Sequence, residues 1–284
     1  LTSKNLKVLA GAIAPAGGLS TVYTAGGDFF HITHEPGDFS EYDSTVTDSG
    51  DLSVTAGAAL VGNYGLSVLI DDTTAIYGQV DFVQLTSTAY GLRIYCDPNG
   101  VTISDGDSFD IAWIRESANF RSMIRLRYSS GNYQISANVV DDAAATRSTS
   151  FYTITDASHY IEMRVEYASS AVANDAQITL SIDGVEQQQL GSLDVYDVSK
   201  PDNARFGAAG NLDVGTSGTL YLDDFVFRDN ATEIGSADRE QAAAGTIAPS
   251  GALVRKTLKP LGGALVPAGV LARKMFESVA GVLA

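Results

Sequence analysis

The sequence predicts an all-β domain, a two-sheet antiparallel sandwich, on three observations. Apolar and polar residues alternate with period 2, short turn signals separate the alternating runs, and charged residues make up only 18% of the chain. Soluble domains usually carry about a quarter charged residues. Here Gly, Ala, Ser, Thr, Asp and Tyr fill the place of Lys, Glu and Leu, as suits short strands joined by polar turns. At 284 residues the chain can bury a sizeable core.

The strands follow in chain order. Leu92-Arg93-Ile94-Tyr95-Cys96 alternates, and so does Ile124, Leu126, Tyr128 against Arg125 and Arg127. Tyr133, Ile135, Ala137 and Val139 alternate with Gln134, Ser136 and Asn138. Ile161, Met163, Val165 and Tyr167 alternate with Glu162, Arg164 and Glu166, and Ile178, Leu180 and Ile182 keep the same rule. Period 2 with one apolar face is the pattern of an antiparallel sheet wet on one side. Asp97-Pro98-Asn99-Gly100, Asp105-Gly106, Ser130-Gly131-Asn132 and Asp183-Gly184 are the turns between them. Cys96, the single cysteine, excludes an internal disulfide and reads as a small buried hydrophobe. Trp113, in phase with Ile111, is expected in the core. No apolar run is long enough for a membrane span.

Both ends carry copies of one short unit. Gly245, Pro249, Gly251, Leu253 and Lys256 recur 18 positions later as Gly263, Pro267, Gly269, Leu271 and Lys274. Residues 4–17 match residues 256–269 at nine of 14 positions, with Gly11, Pro15 and Gly17 in register. The organisation is therefore an N-terminal repeat segment at 1–22, the sandwich at 23–241 and C-terminal repeats at 242–284. The repeats read as strand-turn-strand from Gly245 to Leu253, yet Leu271, Met275 and Val279 fall at helical spacing, so strand and helix both stay open. A unit of this size needs neighbours to bury its apolar side, supplied by other subunits or by further repeats in one chain. The residues expected to make that contact are Leu6, Leu9, Ile13, Pro15, Gly17, Ile247, Pro249, Gly251, Leu253, Leu265, Pro267, Gly269 and Leu271.

Charge separates the same segments. Residues 1–22 carry +2 and residues 242–284 carry +4, which leaves −22 of the total −16 on residues 23–241. Acidic middle and basic ends attract between molecules. A surface this negative excludes nucleic acid as a partner, because phosphate binding needs a basic footprint.

Four segments, in order, carry a family likeness: Gly37-Asp38-Phe39-Ser40-Glu41-Tyr42-Asp43, Val61-Gly62-Asn63-Tyr64-Gly65-Leu66, Ile178-Thr179-Leu180-Ser181-Ile182-Asp183-Gly184 and Tyr221-Leu222-Asp223-Asp224-Phe225. Together they resemble the concanavalin A-like lectin/glucanase (LamG-like) superfamily over most of residues 27–229. The resemblance implies a jelly roll, often glycan-binding and often stabilised by Ca²⁺. Its calcium ligands would be Glu35 with Asp223 or Asp224, against the simpler reading of an Asp that accepts backbone N–H bonds. The flanking Gly-x-x-x-Pro-x-Gly repeats resemble those of bacterial surface and phage-type fibre proteins.

For sugar stacking, Tyr42, Tyr64 and Tyr90 lie near loops and are the expected aromatics. The paired carboxylates of the glucanases, Glu-x-Asp-x-x-Glu, do not occur, so no catalytic residues are assigned and the chain is not expected to be an enzyme. Glu162 and Glu166 around Arg164 read as a solvated, ion-paired face. His31-Ile32-Thr33-His34-Glu35 lacks zinc-site spacing. These readings point to an extracellular filament or surface-appendage subunit, homopolymeric through its repeats and displaying a lectin-like domain. The alternative is a glycan-binding module of a larger surface protein.

Overall fold

The alternating runs become two stacked antiparallel sheets. The computed structural model describes residues 28–237, so the repeat segments and all thirteen expected assembly residues lie outside the described residues. In chain order the strands are β1 (Asp28–Ile32), β2 (Ser44–Val46), β3 (Leu52–Thr55), β4 (Gly65–Ile70), β5 (Ile76–Asp81), β6 (Ala89–Asp97), β7 (Ser108–Glu116) and β8 (Asn119–Ser129). There follow β9 (Asn132–Val140), β10 (Thr146–Ser148), β11 (Tyr152–Ile154), β12 (His159–Glu166), β13 (Ala176–Ile182), β14 (Val185–Leu193), β15 (Asn203–Gly210) and β16 (Gly218–Arg228).

The first sheet has the order β14-β13-β12-β6-β16-β4-β3, with β1 also on β16. The second has the order β10-β9-β8-β7-β15-β5-β2, with β11 also on β9. This is a jelly-roll sandwich, as the sequence predicts. Core residues come from alternate positions of both sheets: Leu92, Ile94 and Cys96 on β6, Ile161 and Met163 on β12, Ile124 and Leu126 on β8, and Phe206 on β15. Each large apolar side chain so buried contributes about 1.5–3 kcal/mol. The sheets are joined face to face by Phe206 on β15 stacked on Phe225 of β16, with ring centroids 4.2 Å apart.

Strand β16 changes partner partway along one edge. Gly218–Leu222 pair with β4, whereas Phe225–Arg228 pair with β1, and the register on β6 shifts between Asp223 and Val226. Asp223 and Asp224 occupy that gap, Asp224 with a positive φ of 51°. In a regular strand only one of two adjacent side chains would point inward; the bulge lets both be buried.

One sequence expectation is corrected on the outer side of the first sheet. Glu162 is only 1% exposed, not solvated. Its two oxygens accept the backbone N–H groups of Ile234 and Gly235, while Arg93 Nη1 donates to Gly235 O and Ala237 N donates to the Tyr95 hydroxyl. The chain leaving β16 is thus strapped across this face by polar side chains of β6 and β12. Arg164 is ion-paired as expected, 3.7 Å from Glu162 and 3.5 Å from Glu186.

Candidate functional site

Of the residues expected to hold calcium, Asp223 and Asp224 lie at the β16 gap and Glu35 on the chain after β1, and each carboxylate already accepts hydrogen bonds. Asp223 Oδ2 accepts Leu60 N at 2.9 Å and Val61 N at 2.8 Å, and Oδ1 accepts Asp224 N at 2.8 Å. His34 Nδ1 lies 3.0 Å from the same Oδ1, and His34 Nε2 lies 2.8 Å from the Tyr42 hydroxyl. An ionised carboxylate only accepts, so Nδ1 carries the proton; in the neutral ring Nε2 then accepts from Tyr42. Burial, then the charges of Glu41 and Asp223, hold the Tyr42 phenol well above its usual range and keep it a donor. Glu41, which sequence reasoning did not single out, completes the knot by accepting His34 N at 2.6 Å.

Asp224 turns the other way. Its Oδ2 takes Arg93 Nη2 at 2.6 Å and its Oδ1 takes His31 Nε2. Glu35 stands apart, its carboxylate accepting Asn63 N at 2.7 Å and Asn63 Nδ2 at 2.8 Å. Those bonds hold Glu35 below the usual carboxylate range, the Asn63 backbone N–H first among them. A cleft of about 280 Å³ runs between His31, Thr33, Glu35, Gly62 and Asp224. Calcium takes six to eight oxygens. Here nitrogen donors saturate Asp223 and a guanidinium covers Asp224, and no group of three metal-capable side chains converges among the described residues. Of the two expected pairings, Asp223 has both oxygens turned to nitrogen donors, whereas Glu35 and Asp224 line the same cleft. His31 and His34 likewise serve separate aspartates.

The expected sugar-stacking tyrosines also need correction. Tyr90 is fully buried and its hydroxyl donates to Ser122 Oγ. Tyr42 is half-buried over Gly78, where an added Cβ would meet its ring at 2.3 Å. Only Tyr64 is exposed, packed beside Gly37.

The aromatic that faces outward is Trp113, and here the alternation misled. Ile111 lies in the core, but the register of β7 on β8 shifts between Asp110 and Ala112. A one-residue slip moves the following side chains to the other face. Trp113 consequently stands half-buried on the outer face of the second sheet. Its indole lies over Gly210, whose absent Cβ would sit 2.3 Å from Trp113 Cζ2. Asp110 Oδ2 accepts the indole N–H at 2.9 Å and is itself held by Arg125 and Asn211. Phe120, 42% exposed, stands beside it with ring centroids 6.0 Å apart.

Around this pair the outer face is polar and close-fitting. Trp113 is opposite Arg205, and Arg205 is opposite Gln79; Asn203 is opposite Arg115 and Asp81. Arg205 Nε donates to Gln79 Oε1 at 2.7 Å and its guanidinium lies 4.1 Å from the Tyr77 ring. On β8 and β9, Met123, Ser136 and Asn138 are nearly inaccessible. An aromatic pair thus stands among several polar side chains on one face of the sheet.

Comparison with protein-family models and with curated protein sequences finds no match. Solved structures do match. The endo-β-1,4-glucuronan lyase of the fungus Trichoderma reesei is similar at a TM-score of 0.52 and 14% identity, over 71% of this chain and 95% of that one. The binding domain of botulinum neurotoxin serotype G is similar at a TM-score of 0.51 and 13% identity, over 82% of this chain and 53% of that one. The chain thus spans about half the length of the toxin domain. At such identities the likeness establishes the jelly-roll fold, shared by an enzyme and a binding domain.

Proposed function

We propose that this domain is a glycan-binding module that takes sugar rings on the Trp113–Phe120 plate of the second sheet. The observation that carries the reading is the placement of Trp113: a bulge turns it outward, Gly210 makes room for it and Asp110 fixes it. The half-buried indole leaves part of its surface, together with the exposed Phe120 ring, free to take a stacked ligand. Binding is favoured over catalysis because the titratable groups beside the plate are tied up: Asp110 is committed to Trp113, Arg125 and Asn211. Filament assembly through the terminal repeats concerns residues outside the described ones. Work at an extracellular surface goes with the module reading.

A glycan array probed with the full chain tests this. Binding is expected for a defined subset of glycans, equal in Ca²⁺ and in chelator, and lost in Trp113→Ala. Binding unaffected by Trp113→Ala, or cleavage of the bound glycan, would contradict the proposal.

A further inference from the structure

The arginines of this acidic protein are not treated alike. Arg93, Arg121, Arg125, Arg147, Arg164 and Arg228 each meet a carboxylate. Among the described residues Arg115, Arg127 and Arg205 meet none, and all three stand on the outer face of the second sheet. The register places them there: Arg205 opposite Trp113, Arg115 opposite Asn203, and Arg127 opposite Gln134. A chain with a net charge of −16 has carboxylates in excess, so three guanidinium groups left without one on a single face call for an explanation.

Arg115 and Arg205 are the closer pair. They are diagonal neighbours on adjacent antiparallel strands, about 7–8 Å apart between Cα atoms by the usual spacing. Neutral amides hold them instead of acids: Asn203 Oδ1 accepts from Arg115 Nη1 at 3.3 Å, and Gln79 Oε1 accepts from Arg205 Nε. The nearby carboxylates are occupied elsewhere. Asp81 accepts from Gln79 Nε2, and Asp202 accepts Ser117 N and Asn203 Nδ2. Arg115 is 6% exposed, and its Nε has no acceptor; Arg93, Arg121 and Arg164 share that lack, but each of them meets a carboxylate through another nitrogen. A buried donor left without a partner is costly in a folded protein, and an incoming acceptor would relieve that cost. Burial, then the neighbouring Arg205 charge, lowers the Arg115 pKa, and the charges of Asp202 and Asp81 offset this only in part.

We propose that Arg115 and Arg205 receive the carboxylate of an acidic sugar whose ring lies on the Trp113 plate. A planar carboxylate matches the guanidinium fork and can take two parallel N–H bonds. Arg127, stacked 3.7 Å from the Phe151 ring at the far end of the same face, gives a second cationic point for a chain of such sugars. This rests on the glycan-binding reading and narrows it to carboxylate-bearing glycans.

The test compares two hexasaccharides with the same β-1,4 linkage: oligoglucuronate, with a carboxylate at C6, and cellohexaose, with a hydroxymethyl group there. Titration calorimetry on the full chain is expected to show oligoglucuronate bound at least tenfold more tightly. Arg205→Gln, at a half-exposed position that leaves the fold intact, is expected to weaken it about 10- to 100-fold, the loss of one or two charge-assisted bonds. Arg205→Lys is expected to fall between, because it keeps the charge without the fork. Equal affinity for the two hexamers, or indifference to Arg205→Gln, overturns the proposal; if Trp113→Ala still abolishes binding, the glycan reading survives alone. Tighter binding of a sulfated cello-oligosaccharide would also overturn the carboxylate assignment. No binding of either hexamer, with an empty array, overturns both.

Discussion

Asp223→Ala is expected to lower the unfolding free energy by about 3–5 kcal/mol, the range for stripping a buried, charge-assisted network of its central partner. Asp223 is inaccessible, and its two oxygens accept from Leu60 N, Val61 N, Asp224 N and His34 Nδ1. Removing them leaves four donors facing a gap in the ladder where β4 has ended and β1 has begun. A domain has only about 5–15 kcal/mol in total, so the loss should be plain in the guanidinium midpoint. Asp223→Asn is expected to lose roughly half as much. Its oxygen can keep Leu60 N and Val61 N, but its NH₂ meets Asp224 N–H as donor against donor. Both variants should melt at the same temperature in calcium and in chelator. A loss below about 1 kcal/mol for Asp223→Ala, or recovery of stability on adding calcium, would mean that the carboxylate is not held as described.

Gly210→Ala is expected to damage binding more than stability. The new Cβ would fall 2.3 Å from Trp113 Cζ2 and 2.6 Å from Cη2. An indole is rigid, and this one is tied to Asp110 through Nε1, so it must swing out as a unit. Overpacking of this kind costs about 1–3 kcal/mol of stability. Displacing the plate is expected to weaken glycan binding at least as much as Arg205→Gln, with the domain still folded. Full-strength binding by a folded Gly210→Ala protein would show that the seat of Trp113 does not matter.

The fold was legible because the apolar-polar alternation of β6, β8, β9, β12 and β13 is plain in the sequence, whereas β7 breaks it at a bulge. The site was less so, for reasons tied to particular residues. Trp113 keeps the phase of Ile111 in the sequence, and nothing in the residues around Asp110 marks the bulge that breaks it. Tyr90 sits beside the Ser87-Thr88 stretch and looked like a loop aromatic, yet it is an inward position of β6. Glu162 looked solvated because alternation reports only the core face. It cannot show that the chain after β16 returns over the outer one. The adjacent Asp223 and Asp224 were recognisable as buried acids, but not their partners: Leu60, Val61 and Arg93 lie more than a hundred residues away. The unpaired arginines had no sequence signature, since pairing is a property of the sheet register.

Trp113 is the only tryptophan in the chain, so its indole reports on the proposed site without competition. The most direct measurement is the Trp113 indole N–H resonance followed while oligoglucuronate is titrated into the isotopically labelled protein. A saturable shift that follows the binding curve, and is abolished by Arg205→Gln, is the expected result. Saturable binding by calorimetry with an unmoved indole resonance would place the ligand elsewhere and contradict the account.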